Sequence, residues 1–469
     1  MLIYDGMKII NDAITFDDVL LVPKVSRVLS RGDVSTDTNL TEKIRLHIPI
    51  LSANMDTVTE SAMAIAMAKL GGAGVIHRFN SIEAEAEEVD KVKRELSFVI
   101  SSPYTITEDA TLRDLLELAA KKGVSGFPVV KDRKLVGIIS KRDYEFEKDL
   151  DKKVKEMMSK DVISSKAGIG LDDAEKILSK NKIEKLPIVD KDNNLVGMIT
   201  SKDIKLSREY KYASKDKRGR LIVGGSVGIS GDYMQRAKML VEADVDFIVV
   251  DVANGYLSRA ADVTKELKDK FGIDIIAGNI ATKEGALNLK KAGADAIKVG
   301  IGPGGACLTR TVAGVGYPQL SAIIDVAGAG ARIIADGGIR KSADLSKALA
   351  AGADAVMVGS ILAGTDETPG VTVTRNGENY KFYRGMASIN AFYDRGERMG
   401  LETEIGEYTP EGTETLVQYK GSVVKIIYNL VGGLRSAMTY LNARNLAELR
   451  KNASFVRLTA AGRLESKYQ

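Results

Sequence analysis

The feature that most limits the fold is a regular alternation of short apolar segments with helical ones. Eight apolar segments read as buried strands, two before residue 97 and six after residue 207, and a helical pattern follows each. They span residues 48–51, 73–77, 221–226, 247–251, 275–279, 296–299, 333–336 and 355–358. Eight strands that alternate with helices are typical of a (β/α)₈ barrel, so we expect an α/β protein with this TIM-barrel fold.

The stretch between the second and third predicted strands is an internal repeat. Segments 126–130 and 135–143 recur as segments 185–189 and 195–203. An offset of about sixty residues is too long for a solenoid repeat and is typical of a tandem pair of small α/β modules. We therefore predict a first part of the barrel in residues 1–96, an inserted tandem domain in residues 97–207, and the second part of the barrel in residues 208–469.

The composition restricts the class of protein. The chain has 469 residues, 67 basic and 63 acidic side chains and a net charge of +4, so a nucleic-acid partner is not implied. No apolar stretch approaches the ~20 residues of a membrane span, and the amino terminus lacks a signal-peptide pattern. One cysteine excludes an internal disulfide and fits a reducing compartment. A zinc cluster is not expected, because the two histidines and the one cysteine lie at distant positions in the sequence. We expect a soluble cytoplasmic protein.

A glycine-rich segment, residues 300–310, follows the sixth predicted strand and contains the single cysteine, Cys307. We call this segment the cysteine loop. Glycine lets a backbone approach a ligand closely, and such a loop can wrap an anion or, with its carbonyl groups turned inward, a cation. Cys307 is a candidate nucleophile, because thiolate is the reactive form of the side chain. The alternative is a buried structural cysteine.

In a barrel of this kind, chemistry takes place at the carboxyl-terminal ends of the strands. The residues predicted to lie there are Asn54, Met55, His77, Ser226, Asp251, Asn279, the cysteine loop, Asp336, Gly337, Gly338, Gly359 and Ser360. This set follows from the strand count alone.

The cysteine loop reads Gly-Ile-Gly-Pro-Gly-Gly-Ala-Cys-Leu-Thr-Arg, and residues 314–319 read Gly-Val-Gly-Tyr-Pro-Gln. Together they resemble the active-site loop of the IMP dehydrogenase and GMP reductase family, and the similarity covers essentially the whole chain. The resemblance implies a purine nucleotide held covalently at C2 by Cys307 while a hydride passes to or from a nicotinamide. Thr309 matches the catalytic threonine of the family; the alternative is a loop hydroxyl bonded to its own backbone.

The same resemblance assigns the binding residues. It places the nucleotide substrate on Met55, Asp336, Gly338, Gly359, Ser360, Tyr383, Gly385, Met386, Ala387 and Glu411, and the cofactor NAD on Asp251, Asn279, Gly300 and Gly302. Asp336 would accept the ribose hydroxyls, and the glycine pairs would present N–H groups to the 5′-phosphate. Because a Rossmann fingerprint is absent, we expect the cofactor to lie across the mouth of the barrel.

A monovalent cation and a regulatory ligand are also implied. The carbonyl oxygens of Gly302, Gly304 and Cys307 match a K⁺ site that in the family borrows oxygens from a neighbouring subunit. The usual assembly of the family is a tetramer, so we expect a homotetramer or a larger assembly. The insert resembles paired CBS domains, which bind adenine nucleotides through a Ser/Thr-x-x-Asp element. The matching residues are Ser140, Asp143, Thr200 and Asp203. Ordinary helix capping is the alternative, because the same spacing starts many helices.

The two members of the family differ in the second half of their reaction. A dehydrogenase hydrolyses its covalent intermediate with a flap whose Arg-Tyr pair activates water. Here Arg398 is followed by Met399, so Arg398 could act as a base only in a special environment, and a solvated flap residue is the alternative.

Several local matches resemble GMP reductase, whereas the length of the flap and the Pro-Glu-Gly at 410–412 resemble the dehydrogenase. We predict the dehydrogenase reaction, in which IMP, NAD and water give XMP and NADH for guanine nucleotide biosynthesis. The alternatives are reduction of GMP by NADPH, with release of IMP and ammonia, and a nucleotide sensor without catalytic activity.

Overall fold

The structure, a computed structural model, describes residues 2–4, 7–9, 12–95, 100, 103–399 and 409–466, with the backbone alone for 2–4, 7–9, 206–207, 395 and 397–399. The chain forms two compact units. The first comprises Met1–Glu95, Tyr212–Asp216 and Leu221–Gln469, and the second comprises Leu96–Lys211 and Lys217–Arg220.

The first unit begins with short elements that precede the barrel. They are strands β1 (Leu2–Tyr4), β2 (Met7–Ile9), β3 (Val19–Leu21), β4 (Thr38–Asn39) and β5 (Arg45–Leu46), with 3₁₀ turns at Phe16–Asp18 and Arg31–Asp33. Two strand–helix pairs follow: β6 (Ile50–Ser52), α1 (Ser61–Lys69), β7 (Ala73–Ile76) and α2 (Ile82–Glu95).

The second unit contains two copies of a small α/β arrangement. The first copy comprises β8 (Ile106–Thr107), α3 (Leu112–Lys122), β9 (Gly126–Lys131), β10 (Lys134–Ser140) and α4 (Lys141–Tyr144), and α5 (Val154–Met157) follows it. The second copy comprises β11 (Ser165–Lys166), α6 (Leu171–Asn181), β12 (Lys185–Val189), β13 (Leu195–Thr200) and α7 (Ser201–Glu209). Each copy forms a three-stranded sheet with an antiparallel hairpin, and each has its own apolar core.

The first unit continues with six further strands, each followed by one or more helices. They are β14 (Val223–Val227), α8 (Tyr233–Glu242), β15 (Phe247–Asp251), α9 (Ser258–Phe271), β16 (Asp274–Ile280), α10 (Lys283–Lys291), β17 (Ala296–Val299), α11 (Thr309–Val312), α12 (Gln319–Ala327), β18 (Ile333–Asp336), α13 (Ser342–Ala350) and β19 (Ala355–Val358). The carboxyl-terminal elements are β20 (Val373–Arg375), β21 (Glu378–Arg384), α14 (Ile389–Met399), β22 (Glu414–Gln418), α15 (Val423–Tyr440), α16 (Leu446–Asn452), β23 (Phe455–Arg457) and α17 (Ala460–Glu465).

Eight strands close into a parallel barrel in the order β14-β15-β16-β17-β18-β19-β6-β7. The predicted (β/α)₈ fold is therefore confirmed, with two barrel strands before the second unit and six after it. The barrel strands read as continuous apolar runs because they are buried on both faces: Val249, Ile276 and Ile334 have no exposed surface.

The amino-terminal end of the barrel is closed by the segment around β4 and β5. Leu40 and Leu46 join the apolar cluster inside the barrel, and Thr41 Oγ1 donates to Asp274 Oδ2 at 2.5 Å. With that end closed, the opposite end is where a ligand can enter. Among the described residues, no helix has the length and apolar character that crossing a bilayer requires.

Candidate active site at the carboxyl-terminal end of the barrel

The cysteine loop leaves β17 and crosses the end of β18. Gly300 has φ +150°, and a methyl group placed on it would lie 2.0 Å from Asp336 O. A methyl group on Gly337, which follows β18, would lie 3.0 Å from Pro303 Cγ. The glycines are therefore required here because two backbone segments approach each other more closely than any side chain allows.

Cys307, Thr309 and Glu411 form a chain of polar contacts. Cys307 Sγ, which is partly buried, lies 3.3 Å from Thr309 Oγ1, and that hydroxyl donates to Glu411 Oε2 at 2.7 Å. A threonine hydroxyl carries one hydrogen, and Glu411 accepts it, so the oxygen is free to accept from the Cys307 thiol. The three residues can therefore carry a proton from sulfur to carboxylate.

Glu411 reaches this place through backbone pairing rather than through sequence proximity. Leu308 N donates to Glu411 O at 2.7 Å, and Thr413 N donates to Ala306 O at 3.0 Å. These two bonds fasten the segment before β22 alongside Cys307. Glu411 was predicted as a substrate-binding residue, and the structure adds its bond to Thr309.

A buried lysine that the sequence analysis missed stands between two predicted ligand-binding carboxylates. Lys298 Nζ, on β17, lies 2.6 Å from Asp251 Oδ1 and 2.7 Å from Asp336 Oδ2, and its side chain is 3% exposed. The available signal was a single lysine inside an apolar strand. Such a residue is rarely buried without charged partners.

The charged groups of this cluster stabilise each other's ionised forms. Burial alone raises the pKa of Asp251, but the Lys298 ammonium, with help from Arg78 and Asn54, outweighs burial and brings that pKa below its usual value. Burial lowers the pKa of Lys298, and the two carboxylates more than reverse this, so the pKa lies above its usual value. Lys298 therefore stays protonated and Asp251 stays ionised at neutral pH.

Asn279 links the cluster to the cysteine loop. Its Nδ2 donates to Gly300 O at 2.8 Å and to Asp336 Oδ2 at 2.9 Å. Its Oδ1 is buried and has no hydrogen-bond partner among the described residues. A buried acceptor without a donor is costly, so this atom marks a place where a ligand N–H or O–H fits.

The predicted phosphate-binding residues meet at the ends of β18 and β19. A methyl group on Gly359 would lie 3.0 Å from Met55 Sδ and 3.8 Å from Tyr383 Oη, and one on Gly305 would lie 3.3 Å from Ser360. Burial raises the pKa of Tyr383 to about 12, with a further contribution from the Asp336 charge. The phenol therefore remains a hydrogen-bond donor, which suits a phosphate.

The remaining predicted substrate residues follow β21 and border the cysteine loop. A methyl group on Gly385 would lie 2.6 Å from Ala306 O, Met386 Sδ accepts from Asp56 N at 3.4 Å, and Glu411 N donates to Ala387 O at 3.0 Å. The fold thus brings the predicted substrate residues to one end of the barrel, although they come from segments spread between Met55 and Glu411.

The predicted cation ligands fit in part. Gly304 O already accepts from Cys307 N at 3.1 Å, whereas the carbonyl oxygens of Gly302 and Cys307 have no N–H donor within the described chain. Two main-chain oxygens are thus available to a hard monovalent ion, and a third is shared. No group of three or more His, Cys, Asp and Glu side chains that could hold a metal occurs in the described ranges.

Five other predicted site residues are not part of this end of the barrel as the structure describes it: four belong to the second unit, and the side chain of the fifth lies outside the described residues. The backbone of Arg398 belongs to α14, and its side chain lies outside the described residues. In the second unit, Ser140 Oγ donates to Asp143 Oδ2 at 2.8 Å, and Thr200 Oγ1 donates to Asp203 Oδ2 at 2.5 Å. Both pairs cap the helix that they start, as the capping alternative expects. A cavity of about 330 Å³ lies beside the first pair, and its lining includes Lys185.

These features define a class: a (β/α)₈-barrel enzyme with a cysteine, a proton relay and a polar cluster at the carboxyl-terminal ends of its strands. The chain belongs to the IMP dehydrogenase / GMP reductase family, because the model of the "IMP dehydrogenase / GMP reductase domain" matches residues 13–469.

Named relatives from both branches are similar over nearly the full length. The inosine-5′-monophosphate dehydrogenase of Aquifex aeolicus is 51% identical over 98% of this chain and 96% of its own, and that of Bacillus subtilis is 50% identical over the same shares. A crystal structure of a variant GMP reductase from Trypanosoma brucei with guanosine 5′-monophosphate is 43% identical, covers 97% of this chain and 98% of its own, and has a TM-score of 0.90.

Proposed function

We propose that this protein oxidises IMP to XMP with NAD and water, through a covalent bond between Cys307 and C2 of the purine. The observation that carries the proposal is the chain from Cys307 Sγ through Thr309 Oγ1, at 3.3 Å, to Glu411 Oε2, at 2.7 Å. It supplies both a nucleophile and a route for its proton. The dehydrogenase names of the relatives from Aquifex aeolicus and Bacillus subtilis support the same reaction.

The first half of the reaction forms the bond to sulfur. The thiol proton passes through Thr309 to Glu411, and the Cys307 thiolate adds to C2 of IMP to make a tetrahedral carbon. When bound, NAD supplies the acceptor for the hydride that leaves C2 with its electron pair. Asp251 and the unpaired Oδ1 of Asn279 are the residues that would hold this cofactor near C2.

The second half releases the product. Water adds to the C2 atom of the covalent adduct, the C2–S bond breaks with its electrons returning to sulfur, and XMP leaves. Summed, IMP, NAD⁺ and water give XMP, NADH and one proton. Arg398 is the residue proposed to activate the water, although the tyrosine that accompanies it in the family is replaced by Met399.

The substrate is proposed to lie with its ribose on Asp336 and its phosphate between Gly338, Gly359, Ser360 and Tyr383. The protonated Tyr383 hydroxyl donates to phosphate oxygens, as its raised pKa, about 12, allows. Met55, Gly385, Met386 and Ala387 border the same region and would contact the base. Ribose and phosphate binding together place C2 against Cys307.

Three further parts of the proposal concern the bound cation, the oligomeric state and the cellular compartment. The carbonyl oxygens of Gly302, Gly304 and Cys307 would hold K⁺, with the remaining ligands from a neighbouring subunit of a homotetramer. Activity measured with K⁺ and then with Li⁺ alone tests the ion, and light scattering tests the assembly. We place the enzyme in the cytoplasm, because its single cysteine must remain a free thiol to act.

The second candidate is GMP reductase, which would use GMP and NADPH. It is favoured by the 43% identical Trypanosoma brucei structure and by Met399 in place of tyrosine. The nicotinamide absorbance at 340 nm, followed with IMP and NAD and then with GMP and NADPH, tests both. Turnover with GMP and NADPH but not with IMP and NAD would replace the dehydrogenase proposal. Turnover with neither pair would favour a nucleotide sensor.

We also propose that the second unit binds an adenine nucleotide in the cavity of about 330 Å³ beside Ser140 and Asp143. Lys141, Arg142 and Lys185 line it and supply positive charge for phosphates. Asp143→Asn should weaken ATP binding in calorimetry, whereas Glu117→Gln, an exposed change on α3, should not. Equal ATP affinity in both variants would contradict the proposal.

A further inference from the structure

We propose that Lys298 is a positioning residue that balances the charges of the substrate-side carboxylate, Asp336, and the cofactor-side carboxylate, Asp251, and holds both in fixed places, so that the two subsites depend on one buried ammonium group. The inference rests on the proposed function, which gives the two carboxylates their ligands. Neither the family resemblance nor the comparisons assign a role to this lysine.

The geometry makes Lys298 the centre of the cluster. Its Nζ bonds to Asp251 on β15 at 2.6 Å and to Asp336 on β18 at 2.7 Å, from a side chain that is 3% exposed. Its own strand, β17, runs directly into the cysteine loop. The side chain of Lys298 thus contacts both the cofactor-side and the substrate-side carboxylate, and its strand continues into the segment that carries the nucleophile.

The bonds also decide which oxygen of Asp336 is left for the substrate. Oδ2 accepts from Lys298 at 2.7 Å and from Asn279 Nδ2 at 2.9 Å. Oδ1 accepts no hydrogen bond from a described residue. The ribose hydroxyls therefore meet an oxygen whose orientation is set by donors on the other side of the carboxylate.

Removing the Lys298 ammonium would leave two largely buried carboxylates, those of Asp251 and Asp336, with no positive charge between them. Like charges in such a site cannot both remain ionised at neutral pH, so the pair takes up a proton. Among the described residues, the other groups that face the pair are Arg78 and Asn54 near Asp251, and Asn279 and the protonated Tyr383 near Asp336. A protonated carboxyl is a poorer acceptor for ribose hydroxyls, so substrate binding would become dependent on pH.

The test measures IMP binding by calorimetry, without cofactor, from pH 6 to pH 9. We expect Lys298→Met to bind IMP at least about tenfold more weakly than the wild type at pH 7, since a change of one pKa unit corresponds to a tenfold change in an equilibrium constant. Its affinity for IMP should recover as the pH rises. Lys298→Arg, which keeps the charge, should lose less affinity and show no such recovery. Because the phosphate of IMP itself titrates at about pH 6, each variant is compared with the wild type at the same pH.

A second variant separates charge from packing. Lys298→Met combined with Asp251→Asn removes the ammonium and one carboxylate together, so Asp336 no longer has a like charge beside it. We expect IMP affinity at pH 7 to return towards the wild-type value. If Lys298→Met alone fails to fold, the double variant is compared with the wild type, and IMP binding that is about tenfold or more weaker than wild type at pH 7 contradicts the inference.

Lys93→Met is the matched control. Lys93 is likewise buried between two carboxylates, at 2.6 Å from Asp246 and 3.2 Å from Asp216, but Asp246 precedes β15 and so lies at the opposite end of the barrel. Its loss should leave the pH dependence of IMP binding unchanged. The inference falls if Lys298→Met binds IMP as the wild type does at every pH, or if the double variant stays as weak as the single one. Wild-type protein that neither binds nor oxidises IMP would instead remove the proposed function itself.

Discussion

Replacing Thr309 with valine keeps the shape of the side chain and removes the hydroxyl at the centre of the proposed relay. Two contacts disappear together: the 3.3 Å contact with Cys307 Sγ and the 2.7 Å bond to Glu411 Oε2. Among the described residues, the thiol then has no group through which its proton can reach the carboxylate. We therefore expect the step that forms the bond between sulfur and C2 to slow.

The size of the effect follows from the geometry. A positioned proton-transfer group contributes about 10²- to 10⁴-fold. Cys307 is only partly buried, so water can take over some of the proton transfer, and we expect the lower end of this range. The predicted loss in kcat is roughly 10²-fold, or about 2.7 kcal/mol of transition-state stabilisation.

The assay is rapid mixing of enzyme with IMP and NAD while the absorbance of NADH is followed. In Thr309→Val the first turnover should slow along with the steady state, because formation of the adduct is affected. Thr309→Ser keeps a hydroxyl at the same place and should retain most of the wild-type rate. Calorimetric binding of IMP to Thr309→Val should stay close to wild type, since the hydroxyl is assigned to proton transfer. If the first turnover of Thr309→Val is within about threefold of wild type, the relay does not carry the proton.

Other perturbations test separate parts of the reasoning. Cys307→Ala should abolish turnover with IMP and NAD and with GMP and NADPH, as followed by nicotinamide absorbance, while calorimetry still detects nucleotide binding; any residual turnover would contradict the covalent step. Gly300→Ala places a methyl group 2.0 Å from a backbone oxygen of β18 and should abolish IMP binding, whereas Gly314→Ala, with φ +66° and nothing within 4 Å, should cost only about 1–2 kcal/mol in a thermal melt. A hydrogen bond from Lys152, with two backbone N–H groups, lowers the pKa of Glu147 to about 2, so its contribution to stability is present above pH 4.5 and is lost as the pH falls towards 2; Glu147→Gln should flatten the acid unfolding curve in that window.

Much of the barrel could be predicted because its strands have a strong local signature. The predicted strands 247–251, 296–299, 333–336 and 355–358 coincide with β15, β17, β18 and β19 residue for residue. Strands that are buried on both faces must be apolar throughout, and the turns between them and the helices are rich in glycine and aspartate. The closing of the sheet then follows from the number of strands.

The partners of the site residues could not be predicted in the same way. The bond between Thr309 and Glu411 joins residues 102 positions apart, through a segment whose pairing with the cysteine loop has no local pattern. Lys298 has a pattern, a charge inside an apolar strand, but its meaning depends on which side chains of β15 and β18 face it. Sequence reasoning therefore named residues that the fold brings to one end of the barrel, and it missed the lysine that bonds to two of them.

The two reactions of the family share the step that this geometry explains best. Addition of a thiolate to C2 is needed whether the carbon then loses hydride or ammonia, so the proposed relay and the proposed role of the lysine cluster would serve a dehydrogenase and a reductase equally. The difference must arise after the adduct has formed, in the choice between water and a returning hydride as its next partner. A variant that changes this choice should therefore leave the formation of the adduct intact. Arg398→Ala is such a variant: it should preserve the first turnover of NADH and slow only the later release of XMP, and an equal loss in both phases would mean that Arg398 does not act in hydrolysis.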